Sequence, residues 1–316
     1  MEATSAQEKK PVRHGSKAKP GEVSARVLFT ACACLSIVAV FGIIGYILSG
    51  SIPAFREIGF FNFLFGSTWT PTYDHFGILP MLVNSIVVTL GAALIGGTVG
   101  VFTAIFLAFW CPDRLHLKYN GKNAFLQKTV ALINKINLRT IFDQIIKILA
   151  GIPSIVYGLF GMLFFVTKLH WGYSMIAGAF TLAIMVLPVI MRTTEEALIA
   201  VPDSYREGSF GLGAGKLRTV FTIVLPSAMP GILSGVILAT GRIVGETAAL
   251  IYTASSVAKI PSSVFSSTRT LAVHMYLLSN EGLYIGQTYG TAVVLLVLVL
   301  VINGLSGLVA GKLAKR

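Results

Sequence analysis

Charge is scarce in this chain. Of its 316 residues, 12% are Asp, Glu, Lys or Arg, about half the share of an average soluble domain. That leaves too little polar surface to cover a soluble globule of this length, which excludes a soluble enzyme and a disordered protein alike. Cysteine is scarcer still: Cys32, Cys34 and Cys111 are the only three, and no disulfide framework is implied. On a helix, Cys32 and Cys34 point about 200° apart, a poor chelate, so buried small hydrophobes are the expected role. The five histidines (His14, His75, His116, His170, His274) are dispersed, none at ligand spacing from Cys, Asp or another His, and no metal is expected. There is no nucleophile elbow and no pair of carboxylates at a plausible pocket. Glu195-Glu196 reads as a solvated helix edge. A phosphate-cradling loop needs Gly, four residues, Gly-Lys, then Ser or Thr. Leu217 follows Gly215-Lys216, and Phe210 stands where the first Gly belongs. Gly121-Lys122 and Gly311-Lys312 fail similarly, and Gly211-x-Gly213-x-Gly215 lacks the dinucleotide spacing. The chain is therefore expected not to be an enzyme, not to hydrolyse ATP itself and to hold no cofactor.

What it has in excess is apolar sequence, 54% of the residues, gathered in blocks that can cross a bilayer at about 20 residues each. Six spans are expected, over residues 27–52, 78–110, 141–166, 172–191, 223–254 and 287–309, all helical because lipid leaves no partner for an unpaired backbone group. The second and fifth are long enough to tilt, bend or protrude. Gly96-Gly97 and Gly100 offer a bend in the second. Residues 1–25 read as a disordered basic tail and residues 26–312 as one transmembrane domain, giving an all-α membrane protein.

The net charge of +12 flanks the apolar blocks, so it indicates membrane topology rather than nucleic acid. The tail through Arg26, the stretch 111–147, the segment 192–222 and the C-terminus together hold 20 of the 25 Lys and Arg. The alternate loops hold four: Arg56, Lys168, Lys259 and Arg269. Basic residues collect on the cytoplasmic side, so both termini are expected there, with loops 53–76 and 255–286 outside. The long basic connector 111–140 reads as a solvated or lipid-facing linker beside anionic lipid.

Between the fourth and fifth spans lies Val201-Pro202-Asp203-Ser204-Tyr205-Arg206-Glu207-Gly208-Ser209-Phe210-Gly211-Leu212-Gly213, then nine residues, then Ile223-Val224-Leu225-Pro226. The glycines predict a short helix, a turn at 211–215 and a second helix entering the membrane. A partner gripping such a helix would move the spans as levers. The spacing resembles the cytoplasmic motif of ATP-binding-cassette (ABC) importer permeases: Glu-Ala-Ala, three residues, Gly, nine residues, Ile, one residue, Leu-Pro. Glu207, Gly213, Ile223, Leu225 and Pro226 match at the family spacing, and Gly208 and Ser209 replace the two alanines. The resemblance implies a six-span permease bundle whose coupling helix docks on a separate dimeric ATPase, which consumes the ATP.

Over about residues 50–310 the chain further resembles the phosphate-specific permeases. Ala150-Gly151-Ile152-Pro153-Ser154-Ile155-Val156-Tyr157-Gly158-Leu159-Phe160-Gly161 is similar to a run in both PstA and PstC. Arg192-Thr193-Thr194-Glu195-Glu196-Ala197-Leu198 and Gly245-Glu246-Thr247-Ala248-Ala249-Leu250 look like PstA. Phe63 to Pro71, Phe76 to Pro80 and Cys111-Pro112 look like PstC. This implies phosphate as cargo, a homologous second permease and an external phosphate-binding protein. The alternatives are an ABC permease for molybdate, sulfate or another solute, and an ATPase-independent channel or carrier.

Arg242 and Glu246 are the clearly intramembrane charges, and each costs roughly 2.5–3.5 kcal/mol at a span centre. Spaced by four, they share a helix face and permit a salt bridge. Two readings stand: a structural ion pair, or Arg242 meeting a translocating anion with Glu246 moderating the affinity. The other polar residues of the spans, Asn84, Ser85, Thr89, Thr98, Thr103, Ser154, Tyr157, Thr181 and Thr240, are expected to bond helix carbonyls or neighbouring helices. Pro153, beside Gly151, predicts a kink.

Overall fold

The computed structural model describes residues 20–112 and 137–313. Of the sequence-level readings, most of the tail and most of the basic connector lie outside these residues. The chain divides into two compact units, residues 1–49 and 50–316. In the first, helix α1 (Pro20–Ile58, continuing into the second unit) begins at Pro20, and the short helix α2 (Phe60–Phe65) follows it in the second unit. Cys32 and Cys34 are exposed free thiols on α1, not buried as their composition suggested.

The second unit is built on α3 (Leu79–Phe109), α6 (Met175–Ile199), α9 (Leu225–Val244) and α12 (Ile285–Leu313). Helix α6 is central, packed along α3 and α9, and Leu182, Met185, Val186 and Ile190 from it join Val88, Ala239, Ile243 and Leu250 in the main apolar cluster. The glycines of α3 serve this contact. A Cβ on Gly96 would stand 3.0 Å from the carbonyl oxygen of Ala183, and one on Gly100 2.9 Å from Ile190. They allow two helix backbones to approach, and α3 runs as one helix of 31 residues rather than breaking where the glycines offered a bend. The span hydroxyls behave as expected: Ser85, Thr103, Thr181 and Thr240 donate to carbonyls four residues back.

Two spans depart from the hydropathy reading. Residues 141–166 are not one straight span. Helix α4 (Leu138–Gly151) and helix α5 (Ser154–Gly161, extended by a wide π turn over Met162–Lys168) meet at 96°. Pro153 cannot donate a backbone bond and holds the residue before it extended; Ile152 sits at ψ 130°. The Tyr157 hydroxyl donates to the Leu149 carbonyl across the corner at 2.7 Å. Helix α4 is anchored on α6 by Arg139 to Glu195 at 3.0 Å, so Glu195 is a paired side chain rather than a solvated edge. Glu196 does pair on the surface, with Arg192.

The fifth span also ends early. Helix α9 stops at Val244, Gly245 closes it, and a four-residue helix α10 (Ala248–Ile251) follows. Apolar composition continues to residue 254, but the helix does not.

On the side of the unit that carries residues 66–78 and 252–284, a short ribbon pairs β1 (Trp69–Thr70) with β2 (His75–Phe76). Trp69 lies edge-on to His274 of α11 (Leu271–Glu281), ring centroids 4.3 Å apart. Asn84 of α3 donates to the carbonyls of Lys259 and Arg269, and the Leu271 N–H donates to Ser85. Arg269 is held down to about 10, first by burial, with Glu281 opposing. His274 is fully enclosed, neither ring nitrogen finds a partner among the described residues, and burial, then Arg269, push it well below its ordinary 6.5. The sign follows. Above pH 6.5 both folded and unfolded chains hold a neutral His274. Below it the unfolded chain takes up a proton that the native state refuses, and stability is lost as pH falls, by up to ~1.4 kcal/mol per unit from this group. Thermal unfolding in detergent is expected to show a shallower acid-side loss for His274→Gln than for the native chain. Parallel pH profiles would remove His274 from the account.

Candidate coupling site and substrate path

Helix α7 (Asp203–Gly211) follows α6 through Pro202, and Asp203 supplies an acidic first turn, favourable at a helix N-terminus. Gly213 adopts φ +80°, a left-handed conformation that costs other L-residues roughly 1–2 kcal/mol. There the chain reverses, with Leu212 N–H donating to Gly208, Gly213 N–H to Phe210 and Ala214 N–H to Ser209. Helix α8 (Lys216–Thr219) then runs through a π turn (Val220–Val224) into α9. Pro226 has no N–H to give the carbonyl of Thr222, and the wide turn just before it accommodates that loss. The expected helix, turn and second helix are all present.

The hairpin is closed internally. Ser209 and Thr219 share a buried hydroxyl contact of 2.8 Å, and Thr219 also donates to Gly215. Ser209 is therefore a structural member of the motif, while Gly208 has open space around its Cα. Glu207, Gly208 and Gly213 are exposed, Ile223 and Leu225 half-buried, and Pro226 exposed. Leu212 stands out from the turn at 91% exposure, flanked by Phe210 and Leu217. With Phe210 and Leu217 also exposed, the tip of the hairpin presents an apolar surface.

The hairpin is also tied to the spans. Ile105 of α3, Leu198 of α6, Val220, Val224 and Ile232 form one apolar cluster. Arg206 donates to the Leu198 carbonyl at 2.9 Å and to Asp203 at 3.1 Å, and its guanidinium lies 5.2 Å from the centre of the Phe109 ring. Lys216 lies over Trp110 at 5.6 Å. The hairpin is therefore packed onto the ends of α3, α6 and α9. The sequence did not single out Arg206: its pairing with Asp203 three residues before is an ordinary helix-surface pattern, and the Leu198 carbonyl eight residues back and the Phe109 ring nearly a hundred residues away leave no local signal.

Arg242 and Glu246 do not form the pair that their spacing allowed. The helix that would have aligned them ends between them, and no ion pair joins them among the described residues. Glu246 is buried and turns back to accept the Ala249 N–H at 3.2 Å, closing the N-terminus of α10. Arg242 is exposed and lines a groove of about 650 Å³ between α9 and α12, with Ser234, Leu238, Gly241 and Asn303.

Residues 130–315 match the family described as binding-protein-dependent transport system inner membrane component. A probable ABC transporter permease protein, YqgI of Bacillus subtilis, is 32% identical over 87% of this chain and 90% of its own length. PstA of Mycobacterium leprae is 31% identical over 72% of this chain and 68% of its own. PstC of Mesorhizobium japonicum is 27% identical over 85% and 82%. Among solved structures, a bacterial alginate ABC transporter aligns with a TM-score of 0.62 at 12% identity, over 94% of this chain and 98% of that one. The inward-facing MetNI methionine ABC transporter aligns at 0.57 and 19%, over 78% and 99%. The all-α membrane fold is thus shared with importer permeases of differing cargo, and the chain belongs to the binding-protein-dependent inner membrane permeases of ABC importers.

Proposed function

We propose that this chain is one permease subunit of an ATP-driven phosphate importer in a bacterial plasma membrane. It forms the translocation path with a homologous second permease. A dimeric ATPase docks on its hairpin from the cytoplasm, and an external phosphate-binding protein delivers cargo to the opposite face. The chain carries no ATPase site of its own, and ATP is the partner's. The observation that carries the reading is the hairpin 203–226: Glu207, Gly213, Ile223, Leu225 and Pro226 keep the family spacing, and Leu212 is bare at its tip. Phosphate as cargo rests on the PstA and PstC relatives. Arg242 is the anion contact, and Glu246 holds the backbone turn beside it.

Thiol labelling tests orientation and docking together. With Cys32, Cys34 and Cys111 replaced, a cysteine at Ser262 is expected to react with an impermeant reagent from outside. One at Leu212 should react only from the cytoplasmic side, and should be shielded when the ATPase is added. Reaction of the Leu212 cysteine from outside, or reaction unaffected by the ATPase, would reject the reading.

A further inference from the structure

Among the described residues, helix α4 is covered on one side only. Its start is fixed by Asn137, whose side chain accepts the Thr140 N–H at 3.2 Å. At about 100° per residue, its side chains sort into three sectors. Arg139, Phe142 and Ile146 share the first, which meets the bundle: Ile146 is buried, and Arg139 reaches Glu195 near the end of α6. Ile141, Ile145, Ile148 and Leu149 make the second, and all four are exposed, Ile148 by 66%. Thr140, Gln144 and Lys147 make the third, also exposed. Asp143, the acid of this helix, is half-buried between the packed and polar sectors. The apolar and polar sectors are centred about 110° apart, with the packed sector filling the far side.

The corner at Pro153 decides where these sectors point. Helix α5 and its π turn pack on α6, and α4 stands 96° from them. A segment that follows α5 through the bilayer must turn along the membrane plane at that corner. The Arg139–Glu195 pair sets α4 level with the end of α6 that leads into the coupling hairpin. A helix in that place meets three media: protein on one side, acyl chains on the second and water on the third. The three sectors match them. The charges agree with an anionic surface. Lys147 stands on the polar sector, and the connector leading into α4 carries Arg114, Lys118, Lys122, Lys128 and Lys135 against one acid, Asp113. An apolar stripe beside a basic polar face is how a helix lies on a bilayer, and anionic headgroups strengthen the hold.

We infer that α4 is an interfacial helix resting on the cytoplasmic leaflet, with Ile141, Ile145, Ile148 and Leu149 among the acyl chains and Lys147 at anionic phospholipid headgroups. The segment 138–151 is then a lipid-binding surface and not half of a span. Arg139 ties it to α6, and the Tyr157 bond across the corner ties it to α5. The inference rests on the cytoplasmic placement of the hairpin, which the Leu212 cysteine tests separately, and on nothing about the cargo.

The test is the depth of single nitroxide labels in the assembled permease pair, in vesicles of phosphatidylcholine mixed with phosphatidylglycerol. Labels are attached to cysteines placed one at a time at Gln144, Ile145, Lys147 and Ile148, with the three native cysteines replaced. Their collisions with oxygen, which concentrates in lipid, are compared with those of a nickel chelate, which stays in water. Oxygen is expected to dominate at Ile145 and Ile148, and the chelate at Gln144 and Lys147. With the label at Ile148, Lys147→Gln should lower the oxygen-to-nickel ratio by up to about five-fold, the worth of one basic residue at an anionic surface. Lys147→Arg should preserve the ratio, which guards against a folding defect. Vesicles of phosphatidylcholine alone should lower it in the native helix. Isoleucine positions reached by neither reagent would mean that the companion permease covers the stripe. Oxygen dominant at all four positions would mean that α4 crosses the bilayer, and the chelate dominant at all four would place it in water. Each of these results would overturn the interfacial helix. A ratio at Ile148 unchanged by both phosphatidylcholine and Lys147→Gln would overturn the anionic lipid as its partner.

Discussion

Replacing Gly213 with valine is expected to abolish ATP-coupled uptake, at least ten-fold, while the protein still inserts and still pairs with its companion permease. The position sits at φ +80° with nothing within 4 Å of a Cβ, so the obstacle is the backbone and not space. A β-branched residue in that conformation is a true outlier. Relieving the strain reorients the turn and moves Leu212, the surface on which the ATPase would rest. Asparagine visits the left-handed region readily, so Gly213→Asn should retain most coupling. That contrast separates backbone geometry from bulk. Equal failure of Asn and Val would mean that the ATPase reads the missing side chain itself. Full activity in both would detach the hairpin from coupling.

Removal of the charge at Arg242 should have the larger effect on transport alone. Phosphate carries one to two negative charges near neutral pH, and an uncompensated charge leaving water costs several kcal/mol. Arg242→Gln should therefore lower uptake by about a hundred-fold or more, the worth of roughly 3 kcal/mol, with expression and ATPase docking intact. The geometry sharpens the interpretation. Because Glu246 bonds the Ala249 N–H and forms no ion pair with Arg242, the single change leaves no carboxylate stranded. Glu246→Gln keeps an oxygen for the same N–H and should be mild by itself. Combining the two should not rescue uptake. Rescue in the double variant would restore the ion-pair reading and take Arg242 off the path.

The spans were legible because a bilayer demands long apolar helices, and hydropathy measures that demand directly. Their ends were less so. Residues 245–254 remain apolar while the helix has stopped, since hydropathy reports the solvent a segment prefers and not the path of its backbone. The same blindness placed Arg242 and Glu246 on one helix face. Pro153 did announce an interruption, but a proline fixes where a helix breaks and not by how much; the 96° turn depends on what α4 packs against. Gly96 and Gly100 were ambiguous for a related reason: a glycine permits a bend or a close approach, and only the position of α6 decides. At the coupling site the fixed spacing carried almost everything, because Gly213 and Pro226 are constrained by their own backbone chemistry. What escaped were long-range partners: Arg206 over Phe109, His274 under Trp69, and Asn303 across from Gly241. No local pattern encodes these.

The most direct measurement is uptake of radiolabelled phosphate into proteoliposomes that contain this chain, its companion permease and the ATPase, with the binding protein on the receiving face. Accumulation is expected to require ATP inside the coupling compartment, to stop when this chain or the ATPase is left out, and to withstand an excess of sulfate. Phosphate entry that continues unchanged without the ATPase would contradict the account and make the protein a channel or carrier.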